Sequence, residues 1–460
     1  MGSSTLRRSL VVFGAFIIMF TLGSNFTFGN MMVYLVSYMR KRSEVPDVTY
    51  GDFIRVAALF GVTQGFIMCL SGFIVQFTGH KPCILIGALI FMSHTFMSLY
   101  SIDGSLWQVS FTYGFIPSLG QNLAYLSTIT LAMKCFPDKR ATISGIVTAG
   151  LGIGGFFFNE LQTLYLNPSN LLPNELAKKG GSYDSLSSTN ILFKENYFDQ
   201  SEVLDRVPGI LKILGIVYGI LLSLGVFLMW DSFPCFTPQD GSYYTDYDCE
   251  EKELLDRTED SSVNQFKRNL YFIINQVEFR SLWLTRFFII LINNTFISFY
   301  KAFGQTFIKN DLLISTTGSI GGIANFLGRF VFGLLMDKTS YKNIMIVSTT
   351  VLTFLLASFY YTKDSGSLAY GIGLCSILFS LPSVFSTQPP IAQERYGSNL
   401  GQLMMGLVAT GDIFNNILLG SFSGYILETL GWGGLYGFLT FVGFGSLISV
   451  LIFPSDNYFS

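Results

Sequence analysis

The chain has 460 residues, of which 50% are hydrophobic, 16% aromatic and only 13% charged, with a mean hydropathy of +0.48. Soluble domains carry about 25% charged residues, so this composition excludes an ordinary soluble protein and describes a chain built for lipid. A formal charge of −2 also gives no basic surface for nucleic acid.

The first twenty residues, MGSSTLRRSLVVFGAFIIMF, place two arginines before an apolar core, as a secretory signal does. The apolar stretch runs on to Tyr38, beyond a signal's ~7–15 residues, so a retained first span is expected. Leu6 stands where a myristoylated start would need Ser or Thr. Further runs able to cross ~30 Å of hydrocarbon follow at 52–77, 83–101, 106–134, 141–166 and 208–230. After a polar interval they resume at 281–308, 314–336, 343–362, 366–392, 400–427 and 432–453, the last pair parted by a turn at Gly431. The fold class expected is therefore an all-α membrane protein with twelve transmembrane helices in two six-helix halves.

Residues 167–207 are polar, open on Asn-Pro and read as an external loop. Residues 231–262 carry ten acids against Lys252 and Arg257 and read as a solvated linker, with a regulatory loop as the alternative. The segment after it, NQFKRNLYFIINQVEF, mixes Lys267 and Arg268 with Leu270, Phe272 and Ile273 and suits a helix lying on the membrane surface. The domains expected are an N-terminal half over 1–230, a cytoplasmic acidic linker with its amphipathic segment over 231–280, and a C-terminal half over 281–460. Nine positive loop residues against five favour cytoplasmic N- and C-termini, with Arg40, Lys41 and Arg42 dissenting. The six cysteines form no C-x-x-C pair and are read as reduced, Cys235 and Cys249 sharing the linker.

Sliding the chain over itself by 261 positions aligns Gly61 with Gly322, Gly72 with Gly333, Lys81 with Lys342, Gly145 with Gly406 and Gly150 with Gly411. Each match falls at an equivalent point of an equivalent run, and duplicated halves are common in secondary transporters. Within one run stands Arg329, eight residues from the polar turn at Asp337 and so roughly 12 Å into the membrane. A charge there requires a partner or a wet cavity. Other polar residues inside the runs are Asn25, Asn30, His94, Gln121, Asn122, Tyr125, Glu160, Asn293, Asn294 and Lys301. Interhelical hydrogen bonding explains the amides and Tyr125 as well as substrate contact does. Lys301 suits either snorkelling or a cavity role, and His94 suits packing.

The segment GLLMDKTSYK (Gly333 to Lys342) resembles the G-x-x-x-D-[RK]-x-G-[RK]-[RK] loop of the major facilitator superfamily. GFIVQFTGHK (Gly72 to Lys81) is its degraded first-half copy, with Gln76 for the acid and Phe77 for the base. KCFPDKRATISGIVTAGLGIGG (Lys134 to Gly155), KAFGQTFI (Lys301 to Ile308) and NFLGRFVFGLLMDKTSYK (Asn325 to Lys342) are similar to the superfamily's oxalate/formate antiporter-like and monocarboxylate transporter-like group, in its eukaryotic form.

The resemblance implies a secondary active transporter of a small organic anion, a monocarboxylate in first place, working by alternating access and open to proton coupling as symport or to antiport. It implies that Arg329 binds a substrate carboxylate, with packing against a nearby acid as the alternative. Lys301, Asn293, Gln121, Tyr125 and Asn30 lie on helices that line the family's cavity and complete the substrate-binding set. Gly72, Lys81, Arg140, Gly333, Asp337, Lys338 and Lys342 form the gating set.

Where the oxalate branch has a lysine, NLGQLMMGLVATGD (Asn399 to Asp412) has Leu407, and an acid follows at Asp412. Oxalate is thereby disfavoured. Asp412, then Glu160, are the candidates for proton coupling, a pairing of Asp412 with Arg329 being the alternative. A dicarboxylate or amino-acid exchanger, or a non-transporting sensor of the same fold, are the other readings. No phosphate loop, H-E-x-x-H or G-x-S-x-G motif supports an enzyme, and no cofactor or metal is expected. The partners expected are the substrate anion, protons and the bilayer, with the plasma membrane favoured over an organelle.

Overall fold

The computed structural model describes residues 2–43, 45, 47–169, 171, 175–176, 196–230, 262–418 and 424–454. The acidic linker up to residue 261, with Cys235 and Cys249, lies outside them. The first part of the chain forms α1 (Gly2–Leu22), α2 (Phe28–Arg42), α3 (Tyr50–Thr78), α4 (His80–Ser101), α5 (Ile116–Lys134), α6 (Arg140–Leu166) and α7 (Val207–Trp230). The second forms α8 (Ser262–Asn275), α9 (Val277–Gln305), α10 (Asp311–Met336), α11 (Tyr341–Phe359), α12 (Ser367–Ser380), α13 (Ser383–Val408), α14 (Gly411–Leu418) and α15 (Gly424–Ile452). The short strands β1 (Glu175–Leu176) and β2 (Asn196–Tyr197) pair antiparallel within the 167–207 segment.

Continuous apolar sequence makes the helices and polar caps start them. Thr49 and Asp52 form a capping box at the head of α3. Asn310 accepts from the Leu313 N–H at 3.1 Å before α10, and Ser340 from the Asn343 N–H at 3.4 Å before α11. The segment expected on the membrane surface is the helix α8, with Tyr271 and Phe272 exposed and Ile273 buried.

Ten helices among the described residues are long and apolar enough to cross a membrane, where the sequence reading expected twelve. Two places account for the difference. The expected runs 366–392 and 400–427 share one helical stretch of 52 residues, Ser367–Leu418. That stretch turns at Gly397, whose φ of 70° suits a residue without a Cβ. The run at 106–134 is broken by a π-helical turn over Ser110–Phe115, and α5 beyond it carries Gln121, Asn122, Ser127 and Thr128. Nearly all of α5 is buried by other helices, so it meets protein rather than lipid and tolerates those polar residues. The turn expected at Gly431 is a kink inside α15, with φ 65°.

The glycine repeat marks two contacts of one kind. A Cβ on Gly145 would stand 2.5 Å from the Arg329 carbonyl oxygen, and one on Gly333 2.4 Å from that of Ala141. A Cβ on Gly406 would stand 2.6 Å from the Met68 oxygen, and one on Gly72 3.0 Å from that of Gln402. α6 therefore meets α10, and α3 meets α13, backbone to backbone. The 261-residue shift carries Gly72 to Gly333 and Gly145 to Gly406, so it turns one contact into the other. Gly61 and Gly322 do not share surroundings: the first faces the Asn416 side chain and the second open space.

The Arg40, Lys41 and Arg42 cluster is tied to the segment that follows α6. Arg42 meets Asp205 at 2.7 Å, Lys41 meets Asp199 at 2.9 Å, and the Arg40 guanidinium lies over the Tyr197 ring, 4.3 Å from its centre. Tyr34 stacks on Phe198, and the Phe198 N–H donates to Ser37 Oγ at 3.1 Å.

Candidate functional site

Arg329 projects from the middle of α10 and is 4% exposed. One turn earlier, Asn325 accepts from Arg329 Nε at 3.2 Å and donates its own Nδ2 to the Leu378 carbonyl at 3.2 Å. That relay fixes one edge of the guanidinium. Its face lies over the Phe385 ring from α13, 4.9 Å from the centre. Its Nη1 is buried and has no hydrogen-bond partner among the described residues.

A second arginine lies against the same ring. Arg286 of α9 is 2% exposed, and its guanidinium carbon is 5.5 Å from the Phe385 centre. Its Nε donates to Asp412 Oδ1 at 3.1 Å and its Nη2 to Asp412 Oδ2 at 2.7 Å, a two-pronged ion pair. Asp412 lies in the first turn of α14. Trp283 Nε1 donates to Thr410 Oγ1 at 3.0 Å beside it and seats α14 on α9. The buried Tyr125 of α5 lies within the electrostatic reach of Arg286, Arg329 and Asp412 together. The alternative partner expected for Asp412 was Arg329, and the structure corrects it to Arg286. Arg286 has no place in the sequence reading. The signal was available, since it is an arginine inside the 281–308 run, as Arg329 is inside its own.

The other expected residues divide. Gln121 is buried and accepts from the Asn25 amide. Asn30 is half-buried and donates toward Gln162 Oε1 at 3.3 Å and Thr163 Oγ1 at 3.2 Å, tying α2 to α6. Asn293 donates to Asn294 Oδ1 at 3.0 Å. Lys301 and Glu160 are exposed on α9 and α6, and no printed contact brings either to the arginines. His94 is bonded through Nδ1 to the Phe91 carbonyl and lines a separate cavity of about 110 Å³ with Ser24, Asn25, Tyr113 and Tyr218.

The gating set gathers where α6 meets α10. Asp337 accepts from the backbone N–H of Ala141 at 2.9 Å and of Thr142 at 2.7 Å, so its carboxylate caps the start of α6. Arg140 Nη1 donates to the Gln393 carbonyl at 3.4 Å, and Gln393 Nε2 to Thr130 Oγ1 at 2.7 Å. Lys342 donates to the Phe453 carbonyl at 2.7 Å, Lys81 lies over the Trp230 ring, and Lys338 is exposed. Gln402 Nε2 adds a bond to Ser127 Oγ at 3.0 Å.

Three findings from known proteins fit this arrangement, although no family model matches the chain. The apicoplast pyruvate carrier 1 of Toxoplasma gondii is 25% identical over 482 residues, covering 93% of this chain and 85% of that protein. The monocarboxylate transporter 9 of Pongo abelii is 28% identical over 97 residues, or 21% of this chain and 18% of that protein. The fucose:proton symporter of Escherichia coli, a major facilitator superfamily transporter, superposes with a TM-score of 0.67 at 13% identity over 99% of this chain and 100% of its own. A nearly all-helical chain with this fold and these relatives is a multi-pass membrane transporter of the major facilitator superfamily, not an enzyme. Within the superfamily it belongs with the monocarboxylate-transporter-like members.

Proposed function

We propose that the chain moves a small monocarboxylate across its membrane by alternating access, with Arg329 meeting the carboxylate. The observation that carries this reading is the buried Arg329 Nη1 without a partner. A buried donor left unpaired costs about 1–3 kcal/mol, and more when charged. A carboxylate oxygen would satisfy it, and the guanidinium fork matches a carboxylate in shape. Arg286, Arg329 and Asp412 together carry one net positive charge, the complement of one carboxylate. The printed name of the Toxoplasma relative, a pyruvate carrier, supports the same substrate class.

In this proposal the units 1–230 and 281–460 rock against each other at the two glycine contacts. The Asp337 cap on α6 and the Arg140 to Gln393 bond hold the end that is closed here. Gly72, Gly333, Lys81, Lys338 and Lys342 belong to the same gate. Tyr125 is the neutral wall of the site, with Gln121, Asn30, Asn293 and Lys301 lining the approach.

Purified protein in liposomes tests the reading with labelled pyruvate, lactate, formate and oxalate. Uptake of pyruvate or lactate above that of oxalate is expected. Binding without flux, or preference for a sugar or a cation, overturns it. Accumulation driven by an inward proton gradient marks symport in the same vesicles, while exchange that ignores the gradient marks antiport. A plasma-membrane address with cytoplasmic termini is the expectation for this chain. The Toxoplasma relative is named for the apicoplast, and imaging of a tagged copy decides between the two.

A further inference from the structure

Two buried arginines against one aromatic ring would attract two negative charges, yet one of them is already occupied. Arg286 gives both Nε and Nη2 to Asp412, while Arg329 keeps Nη1 without a partner. We propose that Asp412 sets the charge of the substrate: by holding Arg286 in an internal ion pair it leaves a single guanidinium open, so the site accepts monoanions and rejects dianions. This inference rests on the assignment of the site around Arg329 to a carboxylate.

The burial of the three charges makes the effect strong. Arg286, Arg329 and Asp412 are 2%, 4% and 1% exposed, so little water screens one from another. A second carboxylate entering beside Arg329 would meet a guanidinium whose paired edge is filled and an aspartate of its own sign. Phe385 and Tyr125 are the remaining named neighbours, and neither supplies a cation. Leu407, at the position where the resemblance implies a lysine, supplies none either. Asp412 thus acts as a built-in counter-ion, and its removal should release Arg286 to the substrate.

Competition against labelled pyruvate measures this in liposomes at neutral pH, with oxalate as the dianion and monomethyl oxalate as its singly charged ester. The unmutated chain should prefer the ester at least tenfold. Asp412→Asn should move the preference at least tenfold toward oxalate, about 1.4 kcal/mol. Asp412→Asn combined with Arg286→Gln should return the ratio to that of the unmutated chain, because the released cation is gone. An unchanged ratio in Asp412→Asn, or a shift that survives in the double variant, overturns the inference. Where the variants do not accumulate, the unmutated chain decides alone, and equal competition by ester and dianion overturns it. If Arg329→Gln leaves pyruvate competition intact, the carboxylate reading of the site has failed; if it abolishes competition while Asp412→Asn changes no ratio, only the charge selector has.

Discussion

Arg286 and Asp412 are each almost fully buried, and each would be costly without the other. Removing one member of a buried pair costs about 3–5 kcal/mol, whereas replacing both by apolar groups of similar size can be neutral or stabilising. Arg286→Gln should therefore lower the Tm of the detergent-solubilised protein markedly. Arg286→Met with Asp412→Leu should recover most of that loss, and a double variant no more stable than Arg286→Gln would contradict the account of the pair. Sequence reasoning singled out Arg329 and Asp412 but not the partner of the latter. Arg286 lies near the start of its run, where a long cation reads as one that can reach the membrane surface. Its burial comes from α14 folding onto α9, a tertiary event with no local signature. The acid was legible because it interrupts an apolar run, and its distance along the helix was legible from the rise per residue, but neither says which cation faces it.

At the level of elements, the close helix contacts make the sharpest prediction. The Arg329 carbonyl would lie 2.5 Å from a Cβ at Gly145, so a larger residue there must push α10 away and move Arg329 with it. Overpacking of this kind costs about 1–3 kcal/mol. Gly145→Val should reduce pyruvate uptake at least tenfold at equal protein level. Gly322→Ala, where the added carbon meets nothing within 4 Å, should leave uptake within twofold. Equal effects of the two would show that the contact has no part in transport. Asp337→Ala removes two charge-assisted caps from the start of α6, worth roughly 0.5–2 kcal/mol for a cap. It should favour opening at that end, read as faster maleimide labelling of the buried Cys135 nearby, and unchanged labelling would contradict a gating role.

The spacing of the glycines was legible because close backbone approach demands that residue wherever it occurs. The bends at Gly397 and Gly431 were harder to place. A single glycine in an apolar run looks alike whether it packs, kinks or ends the helix, and the expected break at Gly431 proved to be a kink within α15.

For the whole molecule, apolar run lengths carried most of the fold. They specify spanning helices because the bilayer leaves the backbone no other way to satisfy its hydrogen bonds in a chain of this kind. The number of helices was less legible. α5 is polar enough to look unlike a lipid-facing span, since its neighbours are other helices, and α12 to α14 run on through Gly397 without an intervening polar loop. The Arg40 to Arg42 cluster, which stood against the expected orientation, is bound to Asp199, Asp205 and Tyr197 and fastens the end of α2 to a distant segment. Charge counting along a sequence cannot see that these cations have partners more than a hundred residues away.

The account of the whole molecule as a carrier of monocarboxylates turns on one guanidinium. Arg329→Lys keeps the charge and removes the fork, and an ammonium cannot reproduce both the Asn325 bond and a two-pronged grip on a carboxylate. Pyruvate exchange in liposomes should fall at least tenfold in Arg329→Lys, with the protein folded and inserted as before. An unchanged transport constant for pyruvate in that variant would contradict the claim.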